Sequence, residues 1–288
     1  MADKVKIGLI QMTSAGEAAG NLEKAVAAID SAAAKGAQII ALQELFRSDY
    51  FCQSEDPDNF KLAETLPGPT TEVLSEIAKE KSVVIIAPIF EKRTEGIYHN
   101  SAVVIDADGT IAGKYRKMHI PDDPNFYEKF YFTPGDLGFK AHNTKYGKIA
   151  VLICWDQWFP EAARLAALEG AQILFYPTAI GWHDSELPDV KRAQLAGWEI
   201  VQRGHAVANG VYVAVTNRVG KEGELTFWGR SFVADPFGGI IEQASEDAEQ
   251  TLIVSCDLAK IGELRQGWPF LRDRRIDAYG PITSRFLG

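Results

Sequence analysis

A chain of 288 residues is long for one average domain yet within reach of a single large α/β unit, and a hydrophobic content of 46% provides for a sizeable core. Its formal net charge of -9, from 39 acidic and 30 basic residues without a long block of one sign, argues against a nucleic-acid partner and is compatible with a cationic small-molecule substrate. No apolar run approaches the roughly 20 residues that span a bilayer, and Met1-Ala-Asp-Lys-Val-Lys lacks the succession of a secretion signal, so the expectation is a cytoplasmic protein with no membrane partner.

Val5-Lys-Ile-Gly-Leu-Ile-Gln-Met reads as a strand. Asn21 then opens a helical pattern, with apolar residues at Leu22, Ala25, Val26, Ile29 and Ala33, which Gly36 stops. Ile39-Ile-Ala-Leu-Gln-Glu follows as a buried strand, completing a β-α-β unit whose two strands run parallel. The alternation continues with a helix over about Thr71 to Lys81 and an apolar strand from Val83 to Phe90. Next comes a hairpin, in which Ser101 to Ile105 and Ile111 to Arg116 flank the turn Asp106-Ala-Asp-Gly.

After a polar and aromatic segment, Ile149-Ala-Val-Leu-Ile-Cys is another buried strand. A helix from about Glu161 to Glu169, the strand Ile173-Leu-Phe-Tyr, a long helix from about Val190 to Asn209 and the strand Val211 to Thr216 complete a second round. A hairpin around Asp235-Pro-Phe-Gly-Gly and a strand from Leu252 to Asp257 follow. There is no solenoid repeat, low-complexity stretch or linker, so residues 1–288 read as one domain. Two rounds of strand, helix, strand and hairpin imply an α/β fold of two mixed sheets packed face to face with helices outside, a four-layer α-β-β-α sandwich.

Three positions carry chemistry. Cys154 ends the apolar strand Ile149 to Ile153, where the chain must turn into a helix. Catalytic groups collect at that edge of α/β folds, and a helix N-terminus nearby would favour the thiolate. The structural alternative is a small core residue. Glu44 ends another apolar strand, and a buried carboxylate needs either an ion-pair partner or a task such as general base. Lys117 closes the hairpin strand. An amine beside a thiol lowers the thiol's pKa and stabilises an oxyanion, although alone Lys117 does not differ from Lys114 and Arg116. Cys52, in a loop after Tyr50-Phe51, and Cys256, in an alternating strand, have no acid-base partner in view. The three cysteines are too few for a disulfide framework, and five scattered histidines do not make a metal centre.

Leu42-Gln-Glu-Leu-Phe, Tyr115-Arg-Lys-Met-His-Ile-Pro and Leu152-Ile-Cys-Trp-Asp-Gln-Trp-Phe-Pro-Glu resemble, in order, the three signature segments of the nitrilase or carbon-nitrogen hydrolase superfamily. The likeness runs over essentially the whole chain, through Phe126-Tyr-Glu-Lys-Phe-Tyr-Phe-Thr-Pro-Gly and Gly229-Arg-Ser-Phe-Val-Ala-Asp-Pro. It implies an αββα sandwich with Glu44, Lys117 and Cys154 as catalytic residues, joined by a second carboxylate, Glu128. It also implies hydrolysis of a non-peptide C–N bond without metal, nucleotide or redox cofactor. Glu128 sits among Phe126, Tyr127, Phe130, Tyr131 and Phe132, a setting that disfavours a solvated role and leaves a buried salt bridge with Lys117 as its structural alternative.

Phe175-Tyr-Pro-Thr-Ala-Ile-Gly and Cys154 to Arg164 look most like the branch that converts N-carbamoylputrescine to putrescine, carbon dioxide and ammonia. Plant-like members continue Ile-Gly with Ser-Glu, whereas this chain has Trp182-His-Asp-Ser-Glu, so Asp184, Glu186 and Asp189 are the candidates to replace that acid if it meets the substrate's ammonium, with an ordinary solvated loop position as the structural alternative for each. Tyr50, Trp155, His183 and Asp184 are the expected substrate-binding residues, the Trp155 backbone N–H facing the oxyanion, and His119 and His205 are expected to be structural. The rivals are another carbamoyl or ω-amide compound, for which Arg203 or Arg230 would hold an acid group, and a silent binding protein on this fold. The resemblance further implies a homo-oligomer built on a dimer, with the aromatic C-terminal region, about 266–288, as a contact arm.

Overall fold

The computed structural model describes residues 4–288. The first round comprises β1 (Lys4–Gln11), α1 (Ala18–Ala34), β2 (Ile39–Leu42), α2 (Pro69–Lys81), β3 (Val84–Thr94), β4 (Ile97–Ile105) and β5 (Ile111–Arg116). A short helix, α3 (Glu128–Tyr131), leads to β6 (Ala141–Thr144), β7 (Gly147–Val151), α4 (Pro160–Leu168), β8 (Ile173–Thr178) and β9 (Gly181–His183). The second round continues with α5 (Pro188–Asn209), β10 (Tyr212–Asn217), β11 (Val219–Glu222), β12 (Leu225–Trp228), β13 (Phe232–Ala234), β14 (Ile240–Gln243), β15 (Gln250–Asp257) and α6 (Ala259–Gly267).

The two rounds form two six-stranded mixed sheets, ordered β15-β1-β2-β3-β4-β5 and β14-β13-β10-β8-β7-β6. Strand periodicity explains the layering. On β1, Val5, Ile7 and Leu9 point between the sheets, into one cluster with Ile149, Val151, Ile173, Phe175 and Val213 of the second sheet. The opposite face, with Ile10, Ile40 and Leu42, packs on Ala25, Ile29 and Ala32 of α1 and on Leu74 and Ala78 of α2. Alanines on the buried helical stripe let α1 lie close to the sheet. The α-β-β-α order read from the sequence is therefore the observed one.

Helix starts lie one to three residues before those of the sequence reading. The periodicity placed the first helix at Asn21, but it begins at Ala18, and Asn21 instead braces loops: its Oδ1 accepts from the Ala15 N–H at 2.7 Å and its Nδ2 donates to the Arg47 carbonyl at 3.2 Å. A third sheet, β11-β12-β9, was not expected, because strands of three or four residues carry too little pattern to register. Gly181 makes it possible: a Cβ there would stand 2.4 Å from the Thr226 carbonyl oxygen on the paired strand.

The topology fixes where the chemistry can occur. β5 is antiparallel to β4, which is antiparallel to β3, so β5 runs in the direction of β2 and their C-terminal ends share one edge. Glu44 follows β2 and Lys117 follows β5 at that edge, while Cys154 follows β7 of the facing sheet. Among the described residues no helix is long and apolar enough to cross a membrane.

Candidate active site

Glu44 and Lys117 are buried, with side chains fully shielded from solvent. Glu44 Oε1 accepts from Lys117 Nζ at 2.8 Å and from Asn100 Nδ2 at 2.7 Å. Its other oxygen, Oε2, is buried and has no hydrogen-bond partner. A buried carboxylate oxygen left without a donor is costly unless it has a proton to receive. Lys117 Nζ also donates to Glu128 Oε2 at 2.6 Å, and Glu128 Oε1 accepts from the Tyr50 hydroxyl at 2.8 Å. Two carboxylates thus share one ammonium, and a third ammonium proton remains for another acceptor.

The charges order themselves accordingly. Burial raises Glu128 to about 7, helped by the Glu44 charge and opposed by Lys117. Burial also works against the charged Lys117, but Glu128 and then Glu44 outweigh it and hold the ammonium protonated. Burial and then the charge of Glu44 push the Cys154 thiol well above its ordinary range, and Lys117 offsets them only in part. The amine acts in the direction expected of it from the sequence, lowering the thiol, but burial and Glu44 outweigh it, so the thiol keeps its proton and needs a base.

Cys154 opens the single turn of 3₁₀ helix Cys154–Trp158 with φ of 43°, a left-handed conformation that a side chain adopts only under constraint. The constraint is Asp156, which is wholly buried. Its Oδ2 accepts from the Ile153 N–H at 2.8 Å and the Tyr115 hydroxyl at 2.7 Å, and its Oδ1 accepts from the His119 N–H at 3.1 Å. His119 Nδ1 lies 2.7 Å from the same oxygen while its ring stacks on Phe159 at 3.7 Å. Asp156 therefore ties the residues on either side of Lys117 to the turn that carries Cys154. Sequence reasoning missed Asp156 and Asn100; Asp156, between Trp155 and Gln157-Trp158, carried some of the signal that singled out Glu44, whereas Asn100, between His99 and Ser101, carried none.

A cavity of about 440 Å³ opens onto Cys154 and Glu128. Its walls are apolar and aromatic, including Phe126, Trp155, Trp158 and Trp228, and its polar lining includes Asp123, His183 and Glu186. No lysine or arginine lines it among the described residues.

Of the expected substrate-binding residues, Trp155 and His183 line this cavity and two do not. Tyr50 stands behind Glu128, buried, with its hydroxyl spent on that carboxylate. Asp184 is exposed on the far side of the β9 strand, paired with Lys221 at 2.6 Å and with Thr226 at 2.8 Å. The reason is local: β9 ends at His183, and Asp184 opens the turn that follows, directed to Lys221 and Thr226. Asp189 is exposed and paired with Arg192, which leaves Glu186 as the acid of that segment in the cavity. Glu186 Oε2 accepts from the His183 N–H at 3.0 Å, and its Oε1 accepts from Gln194. Arg203 binds the Gly238 carbonyl and Glu199, and Arg230 binds Gln243 and Glu246, so neither guanidinium enters the cavity. Cys52 and Cys256 are buried, and His205 Nε2 lies 2.8 Å from the Gln157 carbonyl. No three His, Cys, Asp or Glu side chains converge as metal ligands among the described residues.

An αββα sandwich with a carboxylate, an ammonium and a thiol gathered at the base of a small cavity defines a class, the thiol amidohydrolases acting on non-peptide C–N bonds. Residues 6–266 match the carbon-nitrogen hydrolase family, and the chain belongs to it. It is 46% identical to the N-carbamoylputrescine amidase of Solanum lycopersicum, over 99% of this chain and 97% of that one. It is 40% identical to the citrullinase of Francisella tularensis, over 98% and 99%. The crystal structure of a carbon-nitrogen hydrolase from Helicobacter pylori G27 superposes with a TM-score of 0.96 at 46% identity, covering 99% of this chain and 100% of that one.

Proposed function

We propose that the protein hydrolyses N-carbamoylputrescine to putrescine, carbon dioxide and ammonia, with Cys154 as nucleophile and Glu44 as general base. Glu44 Oε2 takes the thiol proton as Sγ attacks the ureido carbon. The oxygen that becomes negative is met by the remaining Lys117 N–H and the Trp155 backbone N–H. The tetrahedral adduct collapses and the terminal nitrogen leaves as ammonia with the proton held by Glu44, so the cysteine keeps an S-carbamoyl group. Water, deprotonated by Glu44, adds to that carbonyl; the C–S bond breaks, the thiol regains its proton, and the freed carbamate loses carbon dioxide to give the amine. Glu128 holds Lys117 in place throughout, and side chains and water supply every step.

The observation that carries the substrate is the charge of the cavity. Asp123 and Glu186 are in its wall, no cation faces them among the described residues, and Trp155, Trp158 and Trp228 offer ring faces to an alkylammonium. A carboxylate-bearing ureide or amide would enter an acidic, aromatic site with no guanidinium to receive it. Similarity to the tomato enzyme points to the same substrate. We further place the protein in the cytoplasm as an oligomer built on a dimer.

The test is a panel of N-carbamoylputrescine, citrulline, N-carbamoyl-β-alanine and a simple ω-amide, assayed for ammonia release. The amine-bearing ureide should show the highest kcat/KM, and preference for an acid-bearing compound would sink the substrate assignment. Cys154→Ser should fold normally and lose turnover, because a hydroxyl is a far poorer nucleophile at neutral pH; near-normal activity in that variant would overturn the chemistry itself.

A further inference from the structure

Arg218 links β10 to β11 and is completely buried, yet it lies outside the cavity. Its Nη1 donates to the Ser48 carbonyl at 3.0 Å and its Nη2 to the carbonyls of Leu45 at 2.9 Å and Glu44 at 3.2 Å. These are the carbonyls of the turn that carries Glu44, where Leu45 has φ of 48°, a left-handed geometry that the surroundings must enforce. Nη1 also donates to Glu222 Oε1 at 2.7 Å, and Glu222 Oε2 accepts from the Tyr50 N–H at 2.6 Å. The Tyr50 hydroxyl in turn donates to Glu128.

We propose that Arg218, with Glu222, is a positioning residue of the reaction, setting both carboxylates that flank Lys117. It holds Glu44 through the backbone of its own turn and Glu128 through Tyr50. The neighbouring Asn217 extends the device to the substrate side, since its Nδ2 donates to the Ile180 carbonyl at 3.1 Å and its Oδ1 accepts from the Ile180 N–H at 3.0 Å, and Ile180 lines the cavity. Fold stability alone does not demand such a group. A buried ion pair is often replaceable by apolar residues of similar volume at little cost, whereas three carbonyls of one irregular turn need a multidentate donor. The small third sheet, which contributes Glu222 and Phe227 beneath the guanidinium at 5.5 Å, then acts as a bracket between cavity and catalytic turn.

The inference rests on the roles proposed above for Glu44 and Cys154, and the experiment separates the two. Turnover of N-carbamoylputrescine and the pH profile of Cys154 alkylation by iodoacetamide are measured for wild type, Glu44→Gln, Arg218→Lys, Arg218→Met and the double variant Arg218→Met/Glu222→Gln. The double variant leaves no uncompensated buried charge, so it is expected to fold, melting below wild type only because the turn's carbonyls lose their donor. It should nonetheless lose roughly tenfold to a hundredfold in kcat, with KM within about twofold and an altered alkylation profile, because misplacing a catalytic group by an ångström costs that much. Arg218→Lys keeps the charge but cannot reach three carbonyls, and it should show the same loss of kcat even if Arg218→Met fails to fold. Activity that returns with stability in the double variant would mean a merely structural role and overturn the inference. Full turnover in Glu44→Gln would instead overturn the reading of the site.

Discussion

At the scale of single residues, the side chains proposed to do chemistry are those whose environment contradicts their type. Glu44 and Cys154 were legible for that reason, a carboxylate and a thiol at the ends of strands that are otherwise apolar. Lys117 was singled out only in combination with them, because its buried state, invisible in the local sequence, depends on Glu44 and Glu128 arriving from distant parts of the chain at 2.8 and 2.6 Å. Arg218 was invisible in the same way, since an arginine after Val215-Thr-Asn reads as an exposed strand end. The substrate acid illustrates the finest limit. Asp184, Glu186 and Asp189 are equivalent in sequence, and only the course of the turn after β9 puts Glu186 into the cavity. Glu186→Gln should therefore raise KM for the amine substrate by roughly tenfold to a hundredfold, the equivalent of about 1.5–3 kcal/mol for a charge-assisted contact. Asp184→Asn, which removes only an exposed pair with Lys221, should leave both kcat and KM unchanged, since such pairs contribute about 0–1 kcal/mol. Equal effects in the two variants would show that the cavity acid does not meet the substrate.

At the scale of elements, the long strands and helices were readable because a core face repeats with a fixed period, and the third sheet was not because its strands of three or four residues repeat that period at most twice. The β3–β4–β5 ladder shows what holds the catalytic edge rigid. Glu91 on β3 is almost fully buried; its Oε1 accepts from Arg116 Nη2 and Lys114 Nζ, each at 2.7 Å, and its Oε2 from Arg116 Nε at 2.8 Å. Arg116 immediately precedes Lys117 and also holds Asp136 at 2.8 Å. Burial alone would raise Glu91, but hydrogen bonds from Arg116, Lys114 and Ser101 outweigh it and hold the carboxyl at about 2. A folded-state value below the ordinary 4.3 or so means that the stabilisation is present above that pH and is lost as pH falls toward 2. Its size is on the order of 3 kcal/mol. Thermal melts between pH 6 and 2, with about those limits chosen to bracket the titration, should show a steep acid loss in wild type. The loss should be shallower in Glu91→Gln, starting from a lower melting temperature because Arg116 is left partly unpaired. Parallel curves for the two proteins would refute this account of the ladder.

At the scale of the whole molecule, the αββα sandwich covers its two six-stranded sheets with helical layers or with each other, so remaining exposed apolar surface calls for its own explanation. It concentrates after α6. Trp268 is 55% exposed, Ile276 73%, Ile282 65%, Phe286 81% and Leu287 73%, and Ile200 on α5 adds a further 65%. Single exposed apolar residues are ordinary, but so many within one terminal segment cost solubility unless covered. The segment's charges do not compensate, because Arg272 with Asp273 and Arg275 with Asp277 pair locally and leave the apolar side chains between them. A second copy presenting the same segment would cover these residues by an isologous contact, and a stable one needs about 800 Å² from each partner. Light scattering on the full chain at micromolar concentration should therefore return a mass of at least a dimer. The double substitution Ile282→Asp, Phe286→Asp, at positions with little buried surface to lose, should lower that mass while leaving the circular dichroism spectrum unchanged. A monomeric wild type would remove the assembly, and an unchanged mass in the variant would move the interface off the C-terminal arm.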